Sequence, residues 1–246
     1  MPVNFESNNL IVIAYPSFAG GKLLANCLGI ADNACLQHAG LANLQLHDKL
    51  SAKDKHNLLI ARLEATHYFW DDLGLGCYHL FGNRPEFEFS LMRNRPAFPV
   101  DPFKETLLDK LLTANLKLFK VAHNEKMLEP ILKTWTNSSI IVFKNTEQIV
   151  SDRRPDFPAN FATECERALM HKASEHRGNA VISWDCNNLQ SFDSFVNSVQ
   201  DLYLQLHLHE FNRQYVQDIY TAYMLAWQRA KTYLKYEQGF YVPSKI

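Results

Sequence analysis

Residues 10–29 read LIVIAYPSFAGGKLLANCLG. An unbroken apolar run over 10–15 has the length and β-branched content of a buried strand, and it leads through proline and small residues into a segment of helical period. Leu23, Leu24, Cys27 and Leu28 fall on one face of that helix, with Gly29 placed as its C-terminal stop. A helix that opens on a Gly-rich turn offers N–H groups without intrahelical acceptors and the positive end of a dipole, and both attract an anion. The backbone amides from Phe18 to Leu23 are therefore the expected cradle, since small residues let a ligand come close. The triphosphate-binding pattern G-x-x-x-x-G-K-[ST] ends in a hydroxyl that holds magnesium. Here Leu23 follows Gly21-Lys22, and Pro16 stands where the first glycine would be, which argues against a magnesium-dependent ATPase or GTPase.

Outward from this stretch, strand-length apolar runs alternate with segments of helical period, the pattern of an α/β domain with a mostly parallel sheet flanked by helices. Further strands are expected at 34–37, 116–122, 139–143 and 180–184. Helices are expected from Ser51, whose pairing with Asp54 resembles a capping box, to about 70, and at 103–114, 146–153, 160–176 and 213–235. Another helix is marked by Phe192, Phe195, Val196, Val199, Leu202, Tyr203 and Leu206 at three- and four-residue spacing. The last one places Tyr215, Ile219, Tyr223, Trp227, Ala230 and Leu234 along one side. Residues 73–102, rich in Gly, Pro and aromatics, read as a long excursion within a single domain spanning 1–246.

The 246 residues are 47% hydrophobic and carry a formal charge of −1, which is enough for a large core and gives no general affinity for nucleic acid or anionic membranes. No stretch approaches the roughly 20 apolar residues of a membrane span, and residues 1–10 lack the basic start and apolar core of a signal peptide. A cytoplasmic protein is expected. The five cysteines, Cys27, Cys35, Cys77, Cys165 and Cys186, form no C-x-x-C pair and read as reduced thiols rather than zinc ligands. In open parallel sheets, ligands bind beyond the carboxyl ends of the strands. There the expected strands carry the turn 16–22, His123 and Lys144.

In this order the features resemble the P-loop sulfotransferases that use 3′-phosphoadenosine 5′-phosphosulfate. YPSFAGGKLLANCL is similar to the family's strand, turn and helix around Y-P-K-S-G-T-T. LKLFKVAHN resembles the strand ending in K-T-H, with LEPILKTW in the place of a proline-containing helix. SIIVFKNTEQIVSDR resembles V-x-R-N-P-x-D-x-x-x-S, and VISWDCNNLQSFDSFVNSVQDLYLQLHL resembles the later Y-E-D-L segment and its helix. The likeness runs over residues 10–208 and implies a P-loop NTPase-like three-layer fold. Departures are plain: Ser17 stands where the family has lysine, Lys144 where it has arginine, Ser151 lies one place early, Asp152 takes the aligned place, and the C-terminal R-K-G-x-x-G segment has no counterpart.

The resemblance implies transfer of a sulfuryl group to a hydroxyl or amine of a small-molecule or glycan acceptor, without a metal. His123 would be the general base and Lys22 would offset charge on the bridging oxygen. Ser17, Phe18, Ala19, Gly20, Gly21, Lys22 and Leu23 would hold the 5′-phosphosulfate. Lys144 and Ser151 would anchor the 3′-phosphate, with Arg153 or Arg154 as substitutes for the missing fork of an arginine. Against these roles stand ordinary ones: a strand-end histidine satisfied by backbone, a solvated first-turn lysine, a surface serine. Two other functions compete: a sulfotransferase-like fold that binds nucleotide or a partner without chemistry, and a small-molecule P-loop kinase with magnesium held by other carboxylates. His38 is a spare acceptor-binding position, and the aromatics Tyr68, Phe69, Trp70, Tyr78, Phe81, Phe87, Phe89 and Phe98 read as an acceptor wall or as packing. His207 and His209 read as surface, and Tyr233, Tyr236 and Tyr241 as core or interface. The oligomeric state is not legible.

Overall fold

The protein is described by a computed structural model over residues 5–6, 10–34, 51–65, 117–153, 157–175 and 178–236. The aromatic excursion, the helix expected at 103–114, His38, Tyr241 and most of the strand expected at 34–37 lie outside these residues. Among them the strands are β1 (Phe5–Glu6), β2 (Leu10–Ala14), β3 (Leu118–Ala122), β4 (Trp135–Thr136), β5 (Ser139–Lys144) and β6 (Ala180–Asp185). Four of these form an all-parallel sheet in the order β3-β2-β5-β6, and β1 and β4 make a separate two-residue parallel pair that the sequence pattern does not announce.

β2 is the keystone. All five of its residues are buried, as befits a strand covered on both faces, and it pairs with β3 on one side and β5 on the other. Strand order therefore reverses at β2. Beyond β3, the Lys117 N–H donates to the Asn33 carbonyl at 2.7 Å and Ala34 bridges Lys117 in the parallel sense, so the chain leaving the first helix runs along the far side of β3.

Helices cover both faces. α1 (Gly21–Gly29) follows β2 and shares one core with Ile11, Ile13, Phe119, Val121, Ile141 and Phe143, joined by α2 (Ala52–Ala65), α6 (Phe192–Gln205) and α7 (Arg213–Tyr236). α3 (Glu125–Thr134) and α5 (Phe161–Glu175) pack on Leu10, Val12, Ala14, Ile140 and Val142 on the opposite face. α4 (Glu147–Arg153) sends Ile149 and Val150 to the α1 side. Of the described connecting helices, α1 and α2 after β2 lie on one face, while α3 after β3 and α5 before β6 lie on the opposite one, as a uniform crossover hand requires. No described helix is long and apolar enough to cross a membrane.

Local signals explain most elements. Ser51 Oγ accepts from Asp54 N–H at 3.2 Å and donates to the Asp54 carboxylate at 2.7 Å, so the expected capping pair opens α2. Asn124 Oδ1 accepts from Met127 N–H at 3.0 Å and caps α3, which carries Pro130 inside it. In α6 the buried set is Phe195, Val196, Val199, Leu202 and Tyr203, as the periodicity requires. In α7, among the residues whose side chains are described, Ile219 and Tyr223 of the expected face are buried together with Val216 and Ala226.

Two readings of α1 change. Every residue except Lys22 is buried, including Ala25 and Asn26, so α1 is a central helix and not an amphipathic cover. Gly29 is its last residue, with no left-handed cap, and Ile30 follows in right-handed conformation. The Ile30 and Ala31 N–H groups donate to the Leu28 carbonyl, and just past the helix the buried ammonium of Lys55 of α2 donates to the carbonyls of Ala31 and Ala34 at 2.6 Å each. That positive charge also opposes the negative end of the helix dipole. The next residue of α2, His56, meets Asp218 of α7 at 3.1 Å and stacks on Tyr215, tying the two helices together.

Candidate anion-binding site

The turn between β2 and α1 sits at the carboxyl end of the central strand, where strand order reverses, the place at which open parallel sheets bind ligands. The Ala19 N–H closes it on the Pro16 carbonyl at 3.1 Å. Phe18 then takes φ +72° and Gly20 φ +88°, while Ser17 and Ala19 do not enter the positive region. Such alternation turns successive N–H groups toward one side and forms an anion-binding concavity. Ala19 and Leu23 spend their N–H groups on Pro16 and Gly20. Those of Gly20 and Gly21 make no backbone bond among the described residues.

Left-handed backbone suits glycine and costs a bulky residue about 1–3 kcal/mol. Phe18 is kept there by contacts from afar. Arg153, the last residue of α4, donates from Nη1 to the Phe18 carbonyl at 2.9 Å, and the Phe18 ring meets Phe157 edge-on at 5.6 Å. The next carbonyl, of Ala19, accepts from the Cys186 thiol at 3.3 Å. Burial pushes this thiol up to about 12, against a smaller opposing pull from Arg153, so at neutral pH it keeps its proton and acts as donor. Cys186 opens a 3-10 turn (Cys186–Gln190) after β6, and Leu189 of that turn lies under Gly20. A Cβ on Gly20 would come within 2.7 Å of the Leu189 side chain.

Tyr15 forms the floor. Its ring packs so closely on the backbone of Gly21 that a Cβ there would overlap it. The same ring meets His123 edge-on at 4.7 Å and Phe143 at 5.3 Å. The register explains this: Ala14 is level with Ala122 and Val142, so the three residues that follow stand together on the α1 face at the sheet rim. The structure thus brings His123 to the turn through Tyr15. His123 is half-buried, and its own carbonyl accepts from the Cys165 thiol at 3.0 Å. Burial, with Glu125 and Glu166 nearby, raises that thiol to about 11.

Of the other expected site residues, Ser17, Phe18 and Lys22 are half-buried, Ala19, Gly20 and Gly21 are buried, and Leu23 is completely buried, so its side chain faces core and not ligand. Lys144 and Ser151 are exposed, and no contact among the described residues joins them to the turn. Lys144 ends β5 opposite Asp185 and shares the alternation of Ile140 and Val142, which face α3 and α5. Asp152 is exposed and accepts from Gln148. Among the described residues of that segment Arg153 reaches the turn, through a backbone carbonyl, and Arg154 lies outside the described residues. Tyr15 and Cys186 were not legible as site residues; the only signal was a tyrosine before the turn's proline. Among the described residues no three His, Cys, Asp or Glu side chains gather as a metal site needs, and His207 and His209 are exposed. The chain matches no family model, no curated protein and no solved structure.

Proposed function

We propose that the protein is a metal-independent sulfotransferase of P-loop type that moves a sulfuryl group from 3′-phosphoadenosine 5′-phosphosulfate to a hydroxyl or amine of a small-molecule or glycan acceptor. The observation that carries this reading is the sign-alternating turn at residues 17–21, standing at the switch point with His123 packed against the Tyr15 ring. The residues present suit a phosphosulfate: amides turned to one side, two glycines, and Lys22 at the helix start. They do not suit magnesium, because Leu23 faces the core.

When bound, the donor supplies an activated sulfuryl group. The backbone amides of Gly20 and Gly21 hold its terminal oxygens, and Lys22 offsets the charge that grows on the bridging oxygen. His123 accepts the proton of the acceptor O–H or N–H as the new bond to sulfur forms; the bond from sulfur to the bridging oxygen breaks, and its electron pair leaves with the nucleotide. Calorimetric titration with 3′-phosphoadenosine 5′-phosphate, beside ATP with magnesium, tests the reading. The expected result is a Kd below about 1 mM for the former alone. No binding overturns the proposal, and magnesium-dependent ATP turnover replaces it with the kinase.

The solvent-facing Lys144 and Ser151 favour one alternative, a related fold that binds nucleotide without chemistry. On that reading the nucleotide binds, the His123→Ala variant binds it equally well, and radiolabelled donor transfers nothing across a panel of hydroxyl and amine acceptors.

A further inference from the structure

We propose that Arg153 and Cys186 are positioning residues that lock the turn with its Gly20 amide facing the ligand side, an inference that rests on the anion-cradle reading above. A planar trans peptide points its carbonyl and the following N–H in opposite directions. The Cys186 thiol, bound to the Ala19 carbonyl, therefore fixes the direction of the Gly20 N–H, and Arg153, bound to the Phe18 carbonyl, braces the preceding peptide, whose Ala19 N–H closes the turn on Pro16. Neither peptide is secured by the turn's own side chains. Gly20 has none, so its side of the peptide between Ala19 and Gly20 offers little resistance to a flip. The two donors stand 135 and 167 residues from their acceptors, at the end of α4 and just past β6. The receptive form of the turn thus depends on correct docking of both elements. Arg153 adds a second effect: its Nη1 lies 3.5 Å from where a Gly20 Cβ would be, so a fixed positive charge stands beside the cradle.

The test uses the full chain and two readouts. One is relaxation dispersion at the Gly20 and Gly21 amides without ligand; the other is calorimetric affinity for inorganic pyrophosphate. Cys186→Ala is expected to introduce microsecond-to-millisecond exchange at Gly20 that wild type lacks and to weaken pyrophosphate about tenfold. Cys186→Ser, which keeps an O–H donor, restores the wild-type relaxation and returns affinity to within about threefold. Arg153→Met reproduces the loss on the half-buried side, where folding is less at stake, so a poorly folded Cys186→Ala protein does not spare the idea. Unchanged relaxation and affinity in Arg153→Met, or a serine variant as impaired as the alanine one, overturns the lock. If wild type binds no pyrophosphate, the cradle reading fails, and the lock is decided by the exchange measurement alone.

Discussion

Two segments leave neighbouring strands at the same rim of the sheet, and they are built in opposite ways. The turn after β2 is buried at Tyr15, Ala19, Gly20 and Gly21, holds a bulky residue in left-handed backbone, and takes its hydrogen bonds from distant elements. The segment after β5 exposes Lys144, Asn145, Ser151 and Asp152, whose side-chain bonds, Gln148 with Asp152 and Asn145 with Asp185, are exposed ones, while Thr146 between them is buried and bonds Glu166. Each carries a lysine and feeds a helix, so they look alike as text. Both hold a non-glycine residue in left-handed backbone, Phe18 and Asn145, and the difference is what surrounds it. Strained backbone persists only when its surroundings over-determine it, and such places concentrate at binding sites. Arg153 links the two, since the exposed segment ends in the side chain that braces the buried one.

The sharpest way to break the contrast is Gly21→Ala. Its methyl would overlap the Tyr15 ring, and overpacking of this kind is expected to cost about 3 kcal/mol in urea unfolding. Next comes Phe18. Glycine at that position accepts φ +72° without penalty and alanine does not, so Phe18→Gly should be about 1 kcal/mol more stable than Phe18→Ala. Equal stabilities would show that the left-handed backbone is not maintained in solution.

A third probe uses pH. Burial raises the folded Cys186 thiol from 9.0 to about 12, so its contribution to stability is fully present below the unfolded value and is lost as pH rises toward the folded one. Between pH 7 and pH 9.5 wild type should lose about 1 kcal/mol more than Cys186→Ser; the other buried thiols are common to both and cancel. The smallest effect belongs to the exposed segment. Lys144→Ala and Ser151→Ala should each change stability by less than about 0.5 kcal/mol and leave the Gly20 and Gly21 amide shifts where they are. A shift at either amide would place those side chains nearer the turn than their exposure suggests.

Periodic burial was legible in the sequence. The run at β2, the spacing along α6 and the Ser51–Asp54 pair each depend on neighbours within a few residues, and each forms as read. What the sequence concealed depends on register and on long-range contact. Lys144 and His123 both end strands, yet alternation sends them toward opposite faces of the sheet, and that is settled only when β3 and β5 pair with β2. Gly29 ends α1 as read, but without a left-handed cap, and the chain just beyond it is held by Lys55 on another helix. Arg153 was legible as a charge beside the expected phosphate segment, but its partner, a carbonyl 135 residues earlier, is a product of the fold.

The place of β2 has a consequence in time. It is the centre of the sheet, yet its partners β3 and β5 are both made more than a hundred residues later. At roughly 5–20 residues per second of synthesis, the segment LIVIA spends on the order of 5–20 s outside the ribosome before either neighbour exists. During that wait five apolar residues with high strand propensity are open to pairing with the wrong chain, so the yield of folded protein should depend more on how the nascent chain is shielded than on the stability of the finished sheet.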